Sequence, residues 1–507
     1  MNRLKCCFIA GSVIGAVACA LGLILIPVGD YVIGSTVKKE AVLEEGTTAY
    51  KNWISADAPV YRQFWLFNVQ NPDEVLKNGS IPQLWQKGPY TYRTRYIPKE
   101  NVTFFPNNTV SFLLPSGAIF EPSMSVGAEE DMVTSLNIAV AVFRWCVGQY
   151  TVHKFSTQVQ DSGSGQRVMP LSDHWSTGVY FFLFQGVYSL LNHKVANMMI
   201  QQSGSSLFQT RTVKELLWGY KDPMLKAPMG VFYPYNGTYD GPYSIFTGKD
   251  DISKVSTINS WNHMQSMSYW NNTYCDMING TDGSSFSPFL DKKTPLYFFS
   301  SDICRSVSAV FEDSLDLKGI TVYRYMLPPN TFASPTENPD NQCYCISKET
   351  TRNCTVAGVL DISTCKGSPV LISLPHFLHG SKVLLELVHG LNPNPEEHST
   401  YLDVEPITGF TLRFAKRLQV NMMYGPSKDI KILNKVKETT IFPIVWLNET
   451  AALDDETADM FKAELLSRMD TLELVQIALI SAGAVMLVLS LIGVCVVKRR
   501  SRLSHVA

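Results

Sequence analysis

The residues best suited to chemistry are six cysteines out of the eleven in the chain, which all fall within residues 275–365. Neighbouring thiolates bind zinc, and thiols in an oxidising compartment pair as disulfides. Cys343 and Cys345, separated by one residue and followed by Cys354, could bring thiolates within reach of one another. The paired Cys-x-x-Cys spacing that is usual in zinc sites is missing. Disulfides are therefore favoured, with zinc as the alternative. The six are Cys275, Cys304, Cys343, Cys345, Cys354 and Cys365.

Other motifs for catalysis are incomplete. Gly248-Lys249 lacks the upstream glycine of a phosphate-binding loop, and no Gly-x-Ser-x-Gly nucleophile elbow occurs. His376 and His379 are spaced like a metal pair, but without nearby carboxylates such a pair is interpreted as structural. The sequence predicts no metal, no cofactor and no enzyme. Net charge of −2 with 17% charged residues gives no electrostatic argument for nucleic acid.

Two apolar segments determine on which side of the membrane the residues between them lie. Residues 8–28 carry no charge and are long enough to cross a bilayer; a cleaved signal peptide is the alternative. Residues 472–497 form a second predicted span, followed by basic residues. The positive-inside rule places both tails, 1–7 and 498–507, in the cytoplasm. Residues 29–471 are then one extracellular domain.

The modification sites agree with this topology. All eight Asn-x-Ser/Thr sequons lie between the two apolar segments. Cys6, Cys7 and Cys495 lie at the cytoplasmic membrane edge, where S-acylation and unmodified thiols are equally compatible with the sequence. The sequons are Asn78, Asn101, Asn107, Asn236, Asn271, Asn279, Asn353 and Asn448.

The extracellular domain is predicted to be β-rich α+β. Short runs of β-branched and aromatic residues bounded by turn signals predict antiparallel strands. Helical spacing of apolar residues predicts an amphipathic helix over 187–201, and a second helix over 456–468 leads into the second span. The predicted strands are 60–69, 90–97, 109–114, 230–235, 296–299, 321–327, 369–374 and 409–423.

The amino-acid sequence resembles that of one family over nearly its whole length. The stretches LEEGTTAYKNW (43–53), YRQFWLFNVQNP (61–72), ELLWGYKDP (215–223), FFSSDICRS (298–306) and EPITGFTLRFAKRLQVN (405–421) are similar to those of class B scavenger receptors. The resemblance implies an irregular antiparallel β-barrel with an internal apolar tunnel. It also implies an apical helical bundle, which corresponds to residues 132–208.

The resemblance also implies partners. Members bind long-chain fatty acids, cholesterol and oxidised or native lipoproteins, and some bind thrombospondin-type adhesion proteins. The expected function is a receptor that facilitates lipid uptake. The alternatives are an adhesion or pattern-recognition receptor and a lipoprotein cholesterol-ester receptor. The tail after the second span lacks an acidic dileucine signal, so the plasma membrane is expected, with caveolae or lipid rafts and endosomes as further sites.

Particular residues follow from the resemblance. The family's disulfides would join Cys275 with Cys343, Cys304 with Cys365 and Cys345 with Cys354, one of fifteen pairings that six cysteines allow. The apical helix supplies candidates for ligand entry, and an acidic segment matches the region that binds protein ligands in relatives. The entry candidates are Leu191, Lys194, Val195, Met198 and Met199, and the protein-ligand candidates are Glu121, Glu129, Glu130 and Asp131.

One stretch departs from the family. Residues 142–185 make the apical region longer than the resemblance allows and contain Cys146, an extra cysteine. The stretch is either a lineage-specific loop or a translated intron. The intron is favoured because residues 181–185 are what a pyrimidine-rich tract ending in a splice acceptor would encode.

Overall fold

The computed structural model describes residues 2–55, 59–94, 98–142, 193–346, 352 and 354–503. Within these ranges the chain is a mixed α+β protein, as predicted. The helices are α1 (Asn2–Ala41), α2 (Thr48–Ile54), α3 (Pro72–Asn78), α4 (His193–Ser203), α5 (Val213–Trp218), α6 (Ser363–Lys366), α7 (Lys382–Glu386), α8 (Pro395–His398), α9 (Asp455–Phe461) and α10 (Ser467–Leu503).

Nineteen strands are formed by the described residues. They are β1 (Tyr61–Val69), β2 (Leu84–Thr94), β3 (Glu100–Phe105), β4 (Thr109–Pro115), β5 (Ala118–Phe120), β6 (Met132–Leu136), β7 (Phe208–Thr212), β8 (Tyr220–Lys221), β9 (Pro228–Met229), β10 (Tyr239–Phe246), β11 (Ile258–Trp261), β12 (Leu296–Ser300), β13 (Arg305–Leu317), β14 (Ile320–Met326), β15 (Leu360–Asp361), β16 (Val370–Ser373), β17 (Tyr401–Val404), β18 (Thr411–Tyr424) and β19 (Thr440–Ala452).

A large antiparallel sheet is the framework. Its eleven strands include the path β12-β13-β14-β17-β18-β19-β1-β2-β5, with β16 on β18 and β15 on β16. The first and last long strands of the chain, β1 and β19, are neighbours with Tyr61 opposite Thr450. A four-stranded sheet, β11-β10-β4-β3, lies apart from this path. Non-local pairing therefore brings together both ends of the domain that lies between the two apolar helices.

The long strands give the domain two ends. β19 finishes at Ala452, and only α9 and one turn of π-helix separate it from α10. At the opposite end of β19 lies Thr440, which pairs with Tyr424 of β18. Helix α4 lies at this far end, because Asn197 of α4 donates to the Asp429 carbonyl at 2.6 Å. At about 3.3 Å per residue, β19 separates the membrane end from this apical end by roughly 40 Å.

Two apolar helices fit a two-pass membrane protein. The candidate spans are Cys6–Ala41 and Ser467–Arg499, so both helices run beyond the predicted 8–28 and 472–497 segments. They pack against each other through glycines: a Cβ on Gly15 would lie 2.7 Å from the Leu487 nitrogen. The Gln476 side chain donates to the Leu25 carbonyl at 2.9 Å. Close backbone approach through small residues is how helices associate in lipid.

Several predicted elements need correction. Residues 230–235 do not form the predicted strand, because the Val231 and Phe232 amides donate to the Leu216 and Leu217 carbonyls of α5. Strands β13 and β19 were not predicted. β19 is buried on both faces over its first nine residues, so its sequence has no alternation to detect.

The helical predictions fare differently. The predicted helix over 187–201 corresponds to α4, and its first residues lie outside the described residues. The predicted helix over 456–468 is α9, a π-helical turn over Lys462–Leu466 and the start of α10. The 142–185 stretch, apart from Val142, and its Cys146 also lie outside the described residues.

Candidate functional site

One face of the central strands changes from charged to apolar along their length. Strands β1, β19 and β18 are adjacent, and residues directly opposite in an antiparallel pair point to the same face. The row nearest the membrane end is charged, and the next two rows towards the apex are apolar. The rows are Arg62, Glu449 and Lys416; then Phe64, Leu447 and Leu418; then Leu66, Val445 and Val420. We call these nine residues the amphiphilic face.

The charged row is completed by a loop residue. Arg62 Nε donates to Glu449 Oε2 at 2.6 Å, and Lys416 forms an ion pair with Asp302, which precedes β13. The side chains of these four residues, the ionic cluster, retain between 16 and 53% of their accessible surface. The Arg62 guanidinium also lies over the Tyr235 ring at 4.8 Å. The cluster therefore combines paired charges with partial access to solvent.

Electrostatics stabilise the charged forms of three members of the ionic cluster. Lys416, with smaller contributions from Arg62 and Lys366, holds the pKa of Asp302 well below its usual range. Burial lowers the pKa of Arg62, but Glu449 and other anions outweigh it, so the pKa is raised. Burial likewise opposes the charge of Lys416, and Asp302 and Glu449 reverse that effect and raise its pKa. Asp302, Arg62 and Lys416 are therefore charged at neutral pH.

A third cation lies beside the cluster. Lys366 Nζ donates to the Ser301 carbonyl at 2.9 Å and contributes to the field at Asp302. Arg62, Lys416 and Lys366 against Asp302 and Glu449 give three positive and two negative charges. Ser301 Oγ in turn donates to Asp240 at 2.7 Å. With Asp240 counted as the third anion the charges balance, so this end of the face is polar without a net charge.

The apolar rows are buried and flanked by aromatic rings. Phe64, Leu66 and Val445 are at most 1% exposed. Trp218 contacts Phe64 edge-on at 5.7 Å between ring centroids, and Phe232 lies 5.3 Å from Phe64. These side chains pack against other core residues, so the two rows form an apolar interior and not an open surface. An apolar length that ends at charges is the arrangement that an amphipathic lipid requires.

The apical helix presents part of the predicted entry set. α4 buries Ala196 and Ile200 and exposes Lys194 and Met198, the latter by 48%. Val195 is half-buried, and Met199 packs against the main core. Leu191 lies outside the described residues. Met198 lies on a helix that is farther from the membrane than the length of β19. Because its side chain is exposed there, it is available to an apolar ligand.

The acidic candidates are mostly occupied within the domain. Arg93 Nε donates to Glu121 at 2.8 Å, and Tyr92 and Lys214 contact Glu129 at 3.0 and 3.3 Å. These contacts tie the segment before β6 to β2 and α5. Each of the two carboxylates therefore has a role in holding the fold together.

The remaining two acidic candidates differ. Tyr90 donates to Asp131 at 2.7 Å and Lys87 lies 3.1 Å away; these hydrogen bonds lower the pKa of Asp131. Glu130 is exposed. Of the predicted protein-ligand set, Glu130 is the carboxylate that the domain leaves most accessible.

The cysteine-rich stretch contains three disulfides. They join Cys275 with Cys343, Cys304 with Cys365 and Cys345 with Cys354, the pairs that the resemblance implies. The zinc alternative is wrong for these six thiols, since a bonded sulfur cannot act as a thiolate ligand. Among the described residues no group of three or more metal-binding side chains occurs. His376 is buried and His379 is exposed, so the two histidines do not converge.

The sequons differ in accessibility. Asn78, Asn101, Asn107, Asn236 and Asn271 are exposed, Asn279 is half-buried, and Asn353 lies outside the described residues. Asn448 is only 9% exposed, and its Nδ2 donates to Gln63 Oε1 at 3.1 Å. The burial of the Asn448 side chain leaves little room for a glycan on its nitrogen. Residues Cys6, Cys7 and Cys495 are exposed free thiols at the ends of the membrane helices.

Sequence reasoning missed the amphiphilic face, although a signal was present. Lys416, Leu418 and Val420 alternate in a strand that was predicted, and Arg62 and Phe64 alternate in another. The partners Glu449 and Leu447 belong to β19, which was not predicted. Asp302 comes from a loop, so only the folded structure adds it to the cluster.

Comparisons with known proteins agree with this architecture. The CD36 family model matches residues 13–494. Lysosome membrane protein 2 from Rattus norvegicus is 34% identical over 474 residues, covering 90% of this chain and 89% of that protein. Scavenger receptor class B member 1 from Cricetulus griseus is 31% identical over 494 residues, covering 95% of this chain and 88% of that protein. The chain is a member of the CD36 family.

Proposed function

We propose that the protein is a cell-surface scavenger receptor that binds long-chain fatty acids, lipoproteins and other lipids and passes lipid through an apolar tunnel. The observation that carries the proposal is the amphiphilic face, where three charged side chains in one row border two apolar rows. An acyl chain would lie along the apolar rows once the buried side chains that cover them move apart, and its carboxylate would lie at the ionic cluster. No bond is made or broken, so no catalytic group is needed.

Entry from the apex completes the proposed route. Met198 and Lys194 on α4 offer an apolar and a cationic contact at the end of the domain farthest from the membrane. Lipid would be captured there and would move towards the membrane helices along the amphiphilic face. Keeping each methylene out of water during this transfer is worth about 0.8 kcal/mol, which is the driving force for a protein-lined route.

A pair of substitutions of opposite sign tests the ionic cluster. Asp302→Ala removes the anion paired with Lys416, so the freed ammonium should bind a fatty-acid carboxylate more tightly. Lys416→Gln leaves Asp302 without its cation, so carboxylate binding should weaken. A charge-assisted hydrogen bond contributes about 1.5–3 kcal/mol, which corresponds to roughly tenfold or more in affinity. Binding is measured as competition by oleate for photo-crosslinking of a diazirine-labelled palmitate to the full chain.

A fatty alcohol of the same length is the matched control ligand. It shares the apolar chain but carries no charge, so neither substitution should change its competition by more than a few fold. Equal effects on acid and alcohol would show that the cluster acts through structure alone. Absence of saturable crosslinking to the wild-type protein with its disulfides intact would overturn the proposed function itself.

The adhesion alternative depends on the acidic segment. A thrombospondin-type protein ligand would need accessible carboxylates, and Glu121, Glu129 and Asp131 are engaged by Arg93, Lys214 and Lys87. Glu130 is the candidate that such a ligand would contact. Solid-phase binding to thrombospondin repeats, compared between wild type and Glu130→Gln, distinguishes this partner from lipid.

We also propose that both tails are cytoplasmic and that the receptor resides in the plasma membrane. The basic residues after α10 and the position of every sequon between the two spans support this orientation. Cys6, Cys7 and Cys495 are then candidates for S-acylation, which would favour caveolae or lipid rafts. Acyl-exchange labelling of the three single cysteine-to-serine variants identifies which thiols are modified.

A further inference from the structure

The loop over residues 286–293 lies beside the first membrane helix. Its backbone is fixed by hydrogen bonds to the loop between β17 and β18: the Phe289 amide donates to the Ile407 carbonyl at 3.1 Å, and the Leu290 amide donates to the Pro406 carbonyl at 2.8 Å. Phe286 anchors the start of the loop in the core with 5% exposure. The position of the loop is therefore set by the main sheet.

Phe289 is held in an unusual orientation. Its φ of 64° lies in the left-handed region, which a bulky residue rarely adopts. The ring is 46% exposed, and its Cζ atom lies 4.0 Å from the place of a Cβ on Gly34 of α1. Backbone strain is tolerated where surrounding contacts impose it, and it clusters at functional positions. Here the strained backbone directs an aromatic ring outward beside α1.

The height of this ring follows from helix geometry. Gly34 is five residues beyond Gly29, the last uncharged residue before Asp30, which is about 7.5 Å along the helix. The headgroup layer extends roughly 5–8 Å beyond the hydrocarbon core on each side. Tyr31, one turn below Gly34, is 77% exposed on α1. Tyr31 and Phe289 therefore lie at the level where aromatic side chains border a bilayer.

Cations surround the same level. Lys292 and Lys293 follow Phe289 and are exposed, as are Lys38 and Lys39 on α1. Lys292 Nζ donates to Ser314 Oγ at 2.9 Å, which holds its ammonium at the edge of the sheet. Asp291 reduces the loop's net charge to +1. Lysine ammonium groups near a membrane surface contact lipid phosphates.

We propose that the 286–293 loop is a membrane-contact element that inserts Phe289 among the phospholipid headgroups of the outer leaflet, with Lys293 on the phosphates. The proposal requires that α1 and α10 cross a bilayer, and it is independent of which lipid the receptor carries. A third contact besides the two helices would fix the tilt of the extracellular domain on the membrane. The occupant is the bilayer that contains α1, because the Phe289 ring lies beside Gly34 of that helix.

The test uses the full chain in nanodiscs of palmitoyl-oleoyl-phosphatidylcholine that carry a phospholipid with a diazirine at the glycerol level. After illumination, crosslinked peptides are identified by mass spectrometry. The peptide containing residues 286–293 should be labelled in the wild-type protein. Phe289→Asn should lower its yield on the order of tenfold, the factor that corresponds to burying one phenyl ring. Asparagine tolerates the left-handed backbone, so the loop itself is preserved.

Ile81→Asn is the matched control. Ile81 is 43% exposed, nearly the same as Phe289, but lies at the apical end, where the neighbouring Gly79 packs on the Lys435 carbonyl before β19. It should leave labelling of the 286–293 peptide unchanged, and Phe289→Trp should retain or increase that labelling. A wild-type protein with no more labelling at 286–293 than at the peptide containing Ile81 would overturn the proposal. So would undiminished labelling of Phe289→Asn.

Discussion

A stacked pair of histidines should make the domain sensitive to acid. His376 and His398 are 5% and 2% exposed, and their rings stack with 4.5 Å between centroids. His376 Nδ1 accepts from the Asn392 amide at 3.0 Å, and His398 Nδ1 accepts from the Asn394 amide at 2.9 Å. Protonation of either Nδ1 would break its hydrogen bond. Both rings are therefore held neutral.

The pKa values give the magnitude. Burial, with a smaller contribution from His398, lowers the pKa of His376 to about 3, and burial with Arg417 lowers the pKa of His398 to about 4. In the unfolded chain both return to about 6.5, so acid favours unfolding. The neutral pair's contribution to stability is complete above pH 6.5 and is lost as pH falls through 6.5 towards 4. At pH 5 each histidine should cost about 2 kcal/mol, and the pair about 4 kcal/mol.

The measurement is the free energy of unfolding in urea at pH 7.5 and pH 5, compared between wild type and the double variant His376→Asn, His398→Gln. Both replacements keep an oxygen acceptor, and Asn suits the left-handed φ of 54° at position 376. The loss between the two pH values should be about 4 kcal/mol smaller in the double variant. Val388→Ala, at a site 1% exposed, should lower stability equally at both pH values. Equal pH dependence of wild type and double variant would refute the reasoning.

Four further outcomes are expected. Glycopeptide analysis should find glycans on exposed sequons such as Asn78 and none on Asn448, whose side chain is buried. Gly15→Leu should lower oxidative crosslinking of Cys6 with Cys495 in membranes, because a Cβ at position 15 would lie 2.7 Å from the Leu487 backbone nitrogen. Gly34→Ala is the control and should not lower it, because a Cβ at position 34 meets only the Phe289 ring, at 4.0 Å. Arg305→Met should cost about 1–3 kcal/mol of stability, measured by thermal unfolding, because the Thr331 carbonyl and Asn341 lose their donor. Transcripts that join Ala141 to Gly186 should be found if residues 142–185 are a retained intron; their consistent absence would exclude it.

Much of the architecture could be predicted because its signals are local. The two spans are long uncharged runs, and strands such as β1 and β18 are rich in aromatic and β-branched residues. Strand β19 was missed because nine of its residues are buried on both faces and Pro443 interrupts them. Residues 230–235 have strand-like composition, but tertiary hydrogen bonds to α5 take their amides instead.

The candidate site was harder to predict because it is assembled across the chain. Arg62 and Glu449 are separated by 387 residues and meet only because β1 pairs with β19. Lys416 can be placed on a strand by its alternating neighbours, but its partner Asp302 lies in a loop. The acidic segment shows the reverse case, since its charge was visible in the sequence while its internal partners Arg93, Lys87 and Lys214 were not.

The pairing of β1 with β19 has a mechanical consequence. Each of these strands leads into one membrane helix, and α1 and α10 pack along their length from Gly29 near Leu472 to Phe8 against Gly493. The polypeptide thus enters and leaves the domain between the two membrane helices at the same place. A pulling force on a bound particle would be shared between the two membrane helices, α1 and α10. It would reach Cys6 and Cys495 together, side by side on the other surface of the membrane.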